Sequence, residues 1–265
     1  MERFSGKTVV VTGSGSGIGA RTVRRFAEEG AQVVVADINL PSAILVASAI
    51  EGALAREVDV RSRESLHAMV QSVEEHFGGI DVFINNAMTC SDSPFLEIRP
   101  DDIRRDVEVN LLGPFFASQE VIPGMIARGG GVVLNIASVN GLAYFGNEAY
   151  SAAKAGLISL TKSIAVQFGQ YGIRCNAVAP GTVATGQWEA RRQLDPQALE
   201  RAAEWYPLGR IGAPDDVAES LMFLASDAAS WVTGVVLPVE GGLLAGNLQM
   251  AHTIVPSQRK DSASD

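Results

Sequence analysis

A chain of 265 residues with 47% hydrophobic and 19% charged side chains excludes disorder and is long enough for one large α/β domain with a sizeable core. Its net charge of −9 repels phosphate backbones and anionic lipid, so neither nucleic acid nor a membrane surface is an expected partner. No apolar run approaches the ~20 residues needed to span a bilayer. The two cysteines, Cys90 and Cys175, form no motif, so a reduced, cytoplasmic setting is expected.

The N-terminal stretch MERFSGKTVVVTG enters a strand pattern at once and shows no leader-like apolar region. Strands are expected at Lys7–Thr12, Gln32–Asp37, Arg56–Asp59, Val82–Asn85, Val132–Ile136, Arg174–Ala179 and Val235–Val239. Each run is continuously apolar rather than alternating, the pattern of strands covered on both faces. Helices are expected between them, at Gly17–Glu29, Pro41–Ile50, Ser62–Phe77, Pro100–Ala127, Ala149–Phe168 and Pro214–Ser226. This rhythm predicts an α/β fold: a doubly wound parallel sheet of about seven strands, helices on both faces, in a single domain over residues 1–246. Residues 181–213 interrupt the rhythm and are expected to form a lid at a strand's C-terminal end. Residues 247–265 are expected to be a polar, frayed tail. His67, His76 and His252 stand at no metal-ligand spacing, so no catalytic metal is expected.

The first strand runs into TGSGSGIG and then a helix. A helix N-terminus offers unpaired N–H groups and a positive dipole end, which attract phosphate. Glycines let the backbone turn sharply and approach a pyrophosphate closely. Of two spacings that fit, Gly13, Gly17 and Gly19 match the wider turn, because the strand stops at Thr12. The second strand ends in Asp37, whose carboxylate can accept bonds from ribose hydroxyls and would repel a 2′-phosphate. Ser16 and Ile38 stand where a basic side chain could have met that phosphate. The expected cofactor is NAD. A helix N-cap role for Asp37 is the bland alternative.

Farther along, Tyr150 and Lys154 are four apart, with only small residues between them, so a helix places both on one face. Alone, the pair reads as an exposed aromatic–cation contact. Likewise Ser138 alone reads as a turn cap, and Asn110 as a helix-surface or kink residue.

These stretches occur together with INNA at 84–87, VNLLGPF at 109–115, NIAS at 135–138, VAPGTVAT at 178–185, RIGAPDDVA at 210–218 and TGVVLPVEGG at 233–242. In that order and spacing the chain resembles the short-chain dehydrogenases/reductases from about Lys7 to Gly242. The resemblance implies a Rossmann-like fold and a hydride transfer between a nicotinamide and an alcohol carbon. It implies that Ser138, Tyr150 and Lys154 are catalytic, with Asn110 binding a water that links Lys154 to solvent. Gly13, Ser16, Gly17, Ile18, Gly19 and Asp37 would hold the dinucleotide, Asp59 and Val60 would flank adenine, and Asn86 and Ala87 would line the cofactor. Pro180, Gly181, Val183 and Thr185 would hold the nicotinamide end, and Lys154 would grip its ribose.

A free tyrosine, with pKa ~10, is too weak an acid for a base at neutral pH. The positive charge of Lys154 is expected to lower it. Met88 replaces the family's usual glycine and would reshape the substrate pocket. Substrate contacts are expected from Met88, Asn140, Tyr144 and Trp188, with Phe95, Phe145 and Trp205 as further aromatic neighbours, which favours an apolar secondary alcohol or ketone. A 3-oxoacyl-thioester reductase using NADP(H) and a non-catalytic NAD-binding sensor are the competing readings. The helices at 100–127 and 149–168 carry broad apolar surfaces, and the resemblance implies that they join subunits of a homo-oligomer, a dimer or tetramer.

Overall fold

The computed structural model describes residues 2–186 and 195–255. Its strands are β1 (Thr8–Thr12), β2 (Gln32–Asp37), β3 (Leu54–Glu57), β4 (Val82–Asn85), β5 (Gly131–Ile136), β6 (Ile173–Pro180) and β7 (Val236–Val239). They form one seven-stranded sheet in the order β3-β2-β1-β4-β5-β6-β7, with each neighbouring pair parallel. The doubly wound, Rossmann-like expectation holds.

Successive strand residues point to opposite faces, so each apolar run feeds two cores. Val9, Val11, Val33 and Val35 pack under α1 (Gly17–Glu28), α2 (Leu40–Ala47) and α8 (Pro214–Ala225). Val10, Val34, Phe83 and Val133 pack under α3 (Arg63–Phe77), α5 (Gly113–Ala127) and α6 (Glu148–Phe168). Fully buried side chains such as Phe26 and Phe83 each contribute roughly 1.5–3 kcal/mol to this burial. A buried polar line crosses the second layer: Asn85 Nδ2 donates to Asn135 Oδ1 at 2.8 Å, and Asn135 Nδ2 donates to Thr161 Oγ1 at 2.9 Å.

The elements depart from expectation in four places. β3 lies at Leu54–Glu57 rather than 56–59, because Leu54 pairs with Val34 and Glu57 with Asp37. The expected helix at 100–127 is α4 (Pro100–Val107), a π-helical turn at Glu108–Leu112, then α5. Pro114 has no N–H to give the carbonyl four residues back, and Gly113 N instead donates to Glu108 O, five back. Within 181–213, Val183 bridges Gly212, and α7 (Ala198–Ala203) forms a short helix. The tail carries α9 (Leu248–Ile254), which begins where Asn247 Oδ1 accepts from Met250 N at 2.9 Å.

Candidate active site

The strand order reverses between β1 and β4, and in such sheets the crevice at the C-terminal strand ends is where ligands sit. The glycine turn lies there. Gly13 has φ +63°, and a Cβ at this position would come within 2.6 Å of Ala87 Cα, so the turn presses directly on the chain leaving β4. Asn86 Nδ2 donates to the carbonyls of Thr12 and Gly13, both at 2.8 Å. Thr12 Oγ1 accepts from the N–H groups of Asn86 and Ala87 at 3.1 and 3.2 Å. Asn86, expected to line the cofactor, therefore shapes the turn itself.

The residues present fit a dinucleotide. Ser16 is the exposed N-cap of α1 and makes no side-chain capping bond, leaving the first-turn N–H groups of Gly17, Ile18 and Gly19 without its hydroxyl. Gly17 faces Thr185, whose Cγ2 would lie 3.5 Å from a Cβ placed on it, so the helix start and the chain after β6 form two walls of one cleft. Ile18 packs on the core beneath. Asp37 Oδ2 accepts from Gly15 N at 2.8 Å, and its Oδ1 accepts from Asn39 N at 2.9 Å. Each oxygen keeps a further lone pair for a ribose hydroxyl. The N-cap of α2 is Asn39, which accepts from Ser42 N, so Asp37 does not cap a helix side-chain-first.

Of the residues expected to flank adenine, Val60 is buried against Gly113. Asp59 accepts two bonds from the Arg61 guanidinium, at 3.0 and 2.7 Å, which hold its carboxyl below the ordinary value. Of the residues expected to hold the nicotinamide end, Pro180 ends β6, Gly181 packs on the Tyr206 ring, and Val183 is buried at its bridge to Gly212.

Tyr150, Lys154 and Ser138 meet where β5 ends. α6 brings the first two. A 3-10 turn at Val139–Gly141 brings Ser138, and Gly141 allows that turn to lie on the α6 backbone: a Cβ there would stand 2.9 Å from the Lys154 carbonyl carbon. Lys154 is 2% exposed and its Nζ donates to Ile136 O at 2.7 Å. Burial pulls the ammonium down to about 7, opposed by the Cys90 thiol. Tyr150 is pushed up to about 12 by burial, while hydrogen bonding to Ser138 works the other way and the Cys90 and Asp106 charges add to the rise. The expected lowering of the phenol is thus not found in the protein alone, because desolvation outweighs the Ser138 hydrogen bond.

Asn110 sits in the π turn, fully buried, and donates to Thr89 O at 2.7 Å and Asp106 O at 2.9 Å. Its Oδ1 has no donor.

The expected substrate residues separate. Met88 is exposed beside the cleft. Asn140 is not aimed outward: its Oδ1 accepts from Ser138 Oγ at 3.2 Å, its N–H donates back to that oxygen at 3.2 Å, and its Nδ2 donates to Gly146 O and Ser151 Oγ. Asn140 orients Ser138. Tyr144 is 79% exposed and gives its hydroxyl to Glu148. Phe95, Phe145 and Trp205 are exposed, and Trp188 lies outside the described residues.

A family model described as Enoyl-(Acyl carrier protein) reductase matches residues 13–244. A crystal structure of a short-chain dehydrogenase/reductase family oxidoreductase from Burkholderia thailandensis superposes with a TM-score of 0.89 at 38% identity, covering 94% of this chain and 97% of that one. The chain belongs to the short-chain dehydrogenase/reductase family. Among curated relatives, the 3-oxoacyl-[acyl-carrier-protein] reductase of Thermotoga maritima is 39% identical over 249 residues, 91% of this chain and 99% of that protein. The levodione reductase of Leifsonia aquatica is 37% identical over 253 residues, 91% and 95% of the two chains.

As a short-chain dehydrogenase/reductase the chain is an oxidoreductase that uses a nicotinamide cofactor and acts on a CH–OH group of a small molecule. Among the described residues no helix is long and apolar enough to cross a membrane, and no cluster of His, Cys, Asp and Glu could hold a metal. The sequence reading passed over Thr12 and Ser14, whose buried hydroxyls pin the glycine turn. It also passed over Asp106, a charged residue on a helix that carried no motif of its own.

Proposed function

We propose that this enzyme transfers a hydride between NAD(H) and a secondary alcohol or ketone of mostly apolar body, with Tyr150 as the general acid/base. The observation that carries the chemistry is the convergence of Tyr150, Lys154 and Ser138 at the end of β5. When bound, NAD supplies the hydride acceptor and a positive charge. Tyr150 takes the alcohol proton in oxidation and returns one in reduction. Lys154, poised to titrate at about 7, supplies a charge that favours the phenolate. Ser138 steadies the substrate oxygen. For that it must turn its single proton from Asn140 to the substrate.

Asp37 supports NAD over NADP: its carboxylate is fixed by Gly15 and Asn39, and neither Ser16 nor Ile38 offers a cation. Met88 and the neighbouring exposed aromatics support an apolar substrate. Exposed Leu112, Phe115 and Val166 around α5 and α6 support a homo-oligomer, a tetramer or dimer. Cys90 and Cys175 are free thiols, which suits a cytoplasmic setting.

The likeness to the Thermotoga maritima enzyme favours a second reading, a 3-oxoacyl-thioester reductase using NADP(H). Secondary alcohols, ketones and a 3-oxoacyl thioester, each offered with NAD(H) and NADP(H), separate the two. Turnover of alcohols with NAD supports the first, and thioester reduction confined to NADPH replaces it with the second.

A further inference from the structure

Asp106 is 1% exposed on the last turn of α4, one turn before Asn110. Its Oδ2 accepts the N–H of Ser91 at 3.0 Å, while its Oδ1 is buried with no donor. On the other side of the same segment, Asn147 Nδ2 donates to Ser91 O at 2.9 Å. Asn110 holds Thr89 O. The chain leaving β4 is thus gripped from three sides: by α4, by the π turn and by the residue that begins α6. Asn147 stands three residues before Tyr150, and among the described residues it is the one non-glycine with positive φ, 55°. Asparagine tolerates that conformation better than most side chains.

A buried carboxylate with one unmet oxygen is costly unless it has a use. We infer that Asp106 is a positioning residue of the active site, which clamps residues 89–91 against the start of α6 and bears on Tyr150 through its carboxyl. The proposal rests on Tyr150 being the acid/base. Four groups act on that phenol: Ser138 from the turn after β5, Cys90 from the clamped segment, Asp106 from α4, and Lys154 from its own helix, with Nζ 5.5 Å from the ring centroid. Asp92 and Asp106 in turn act on Cys90, and Arg105 is paired with Asp102. Asp106 raises the Tyr150 phenol, so it works with burial against the phenolate.

Asp106→Asn separates charge from clamp. The amide keeps an oxygen for Ser91 N. The readout is ultraviolet titration of phenolate in the NAD⁺-loaded protein, with the Tyr150→Phe curve subtracted to isolate the one phenol. Asp106→Asn is expected to lower the Tyr150 midpoint by about one pH unit. An unchanged midpoint overturns the electrostatic role. Asn147→Gly keeps the backbone conformation and the charge but removes the Ser91 bond. It should speed hydrogen–deuterium exchange across residues 89–92 by about fivefold while leaving the midpoint in place. Asp106→Ala, which removes the acceptor for Ser91 N, should speed the same exchange, and unchanged exchange in that variant overturns the clamp. Neither readout uses a substrate, so a wild-type protein inactive on every alcohol defeats the proposed function without deciding this test.

Discussion

Lys154 and Tyr150 share one face of α6, yet the ammonium lies 5.5 Å from the ring centroid and donates to Ile136 O at 2.7 Å. The lysine acts on the phenol through space, from a position fixed by the end of β5. Burial weakens both partners as ions: the phenol stands near 12 and the ammonium near 7. Burial thus disfavours both ions in the protein alone.

A stability profile follows for the apoprotein. Lys154 titrates at about 7 when folded and at 10.5 ordinarily, so between those values the unfolded chain binds more protons and stability rises with pH. Tyr150 rises from 10 to about 12, so above 10 the folded chain binds more protons and its contribution falls as pH climbs. Urea melts from pH 7 to 8 should show rising stability, and Lys154→Met should flatten that rise; toward pH 9 the Cys90 and Cys175 thiols, both pushed up by burial, oppose it. An identical slope in the variant would remove the assigned lysine shift.

Gly13→Ala forces a Cβ to within 2.6 Å of Ala87 Cα at φ +63°. The expected cost is about 1–3 kcal/mol of stability, with at least a tenfold loss of NAD affinity as the turn moves. Thermal melts and NADH fluorescence titration measure the two effects.

Asp37→Ala removes the acceptor for Gly15 N and Asn39 N together with a carboxylate expected to face the ribose. NADH affinity should fall about tenfold and the preference over NADPH should collapse. Parallel titrations with both reduced cofactors provide the check. A preference that survives intact would place cofactor choice elsewhere.

Asn140→Ala strips Ser138 of the side-chain acceptor that orients its hydroxyl, while the backbone N–H bond to Ser138 Oγ stays. The expected result is a kcat about tenfold lower with little change in KM. A higher KM at unchanged kcat would instead restore Asn140 as a substrate contact.

Much of this architecture was readable from strand-forming runs, because valine-rich stretches such as TVVVT and QVVVAD have no other way to be buried on both faces. β3 was misplaced by two residues because its alternation of Leu, Ala, Arg and Glu carries little apolar signal, while Val58 and Val60 are buried just beyond it. The π turn was encoded by Pro114, whose missing N–H was not weighed against the surrounding helical pattern. Single polar residues were the harder case. Asn140 and Asn86 look alike in sequence to cleft-facing amides, and only their partners show that one orients a serine and the other a glycine turn. Ionisation of the Tyr150–Lys154 pair was illegible because spacing fixes proximity and not burial.

The central claim is that Tyr150 moves the proton. Once a turned-over alcohol is found, Tyr150→Phe should lower kcat by 10²-fold or more, of the order that a positioned acid/base contributes. NADH binding, followed by fluorescence in the same preparation, should stay within about twofold, a change worth under half a kcal/mol. A Phe variant that keeps near-normal turnover would contradict the account.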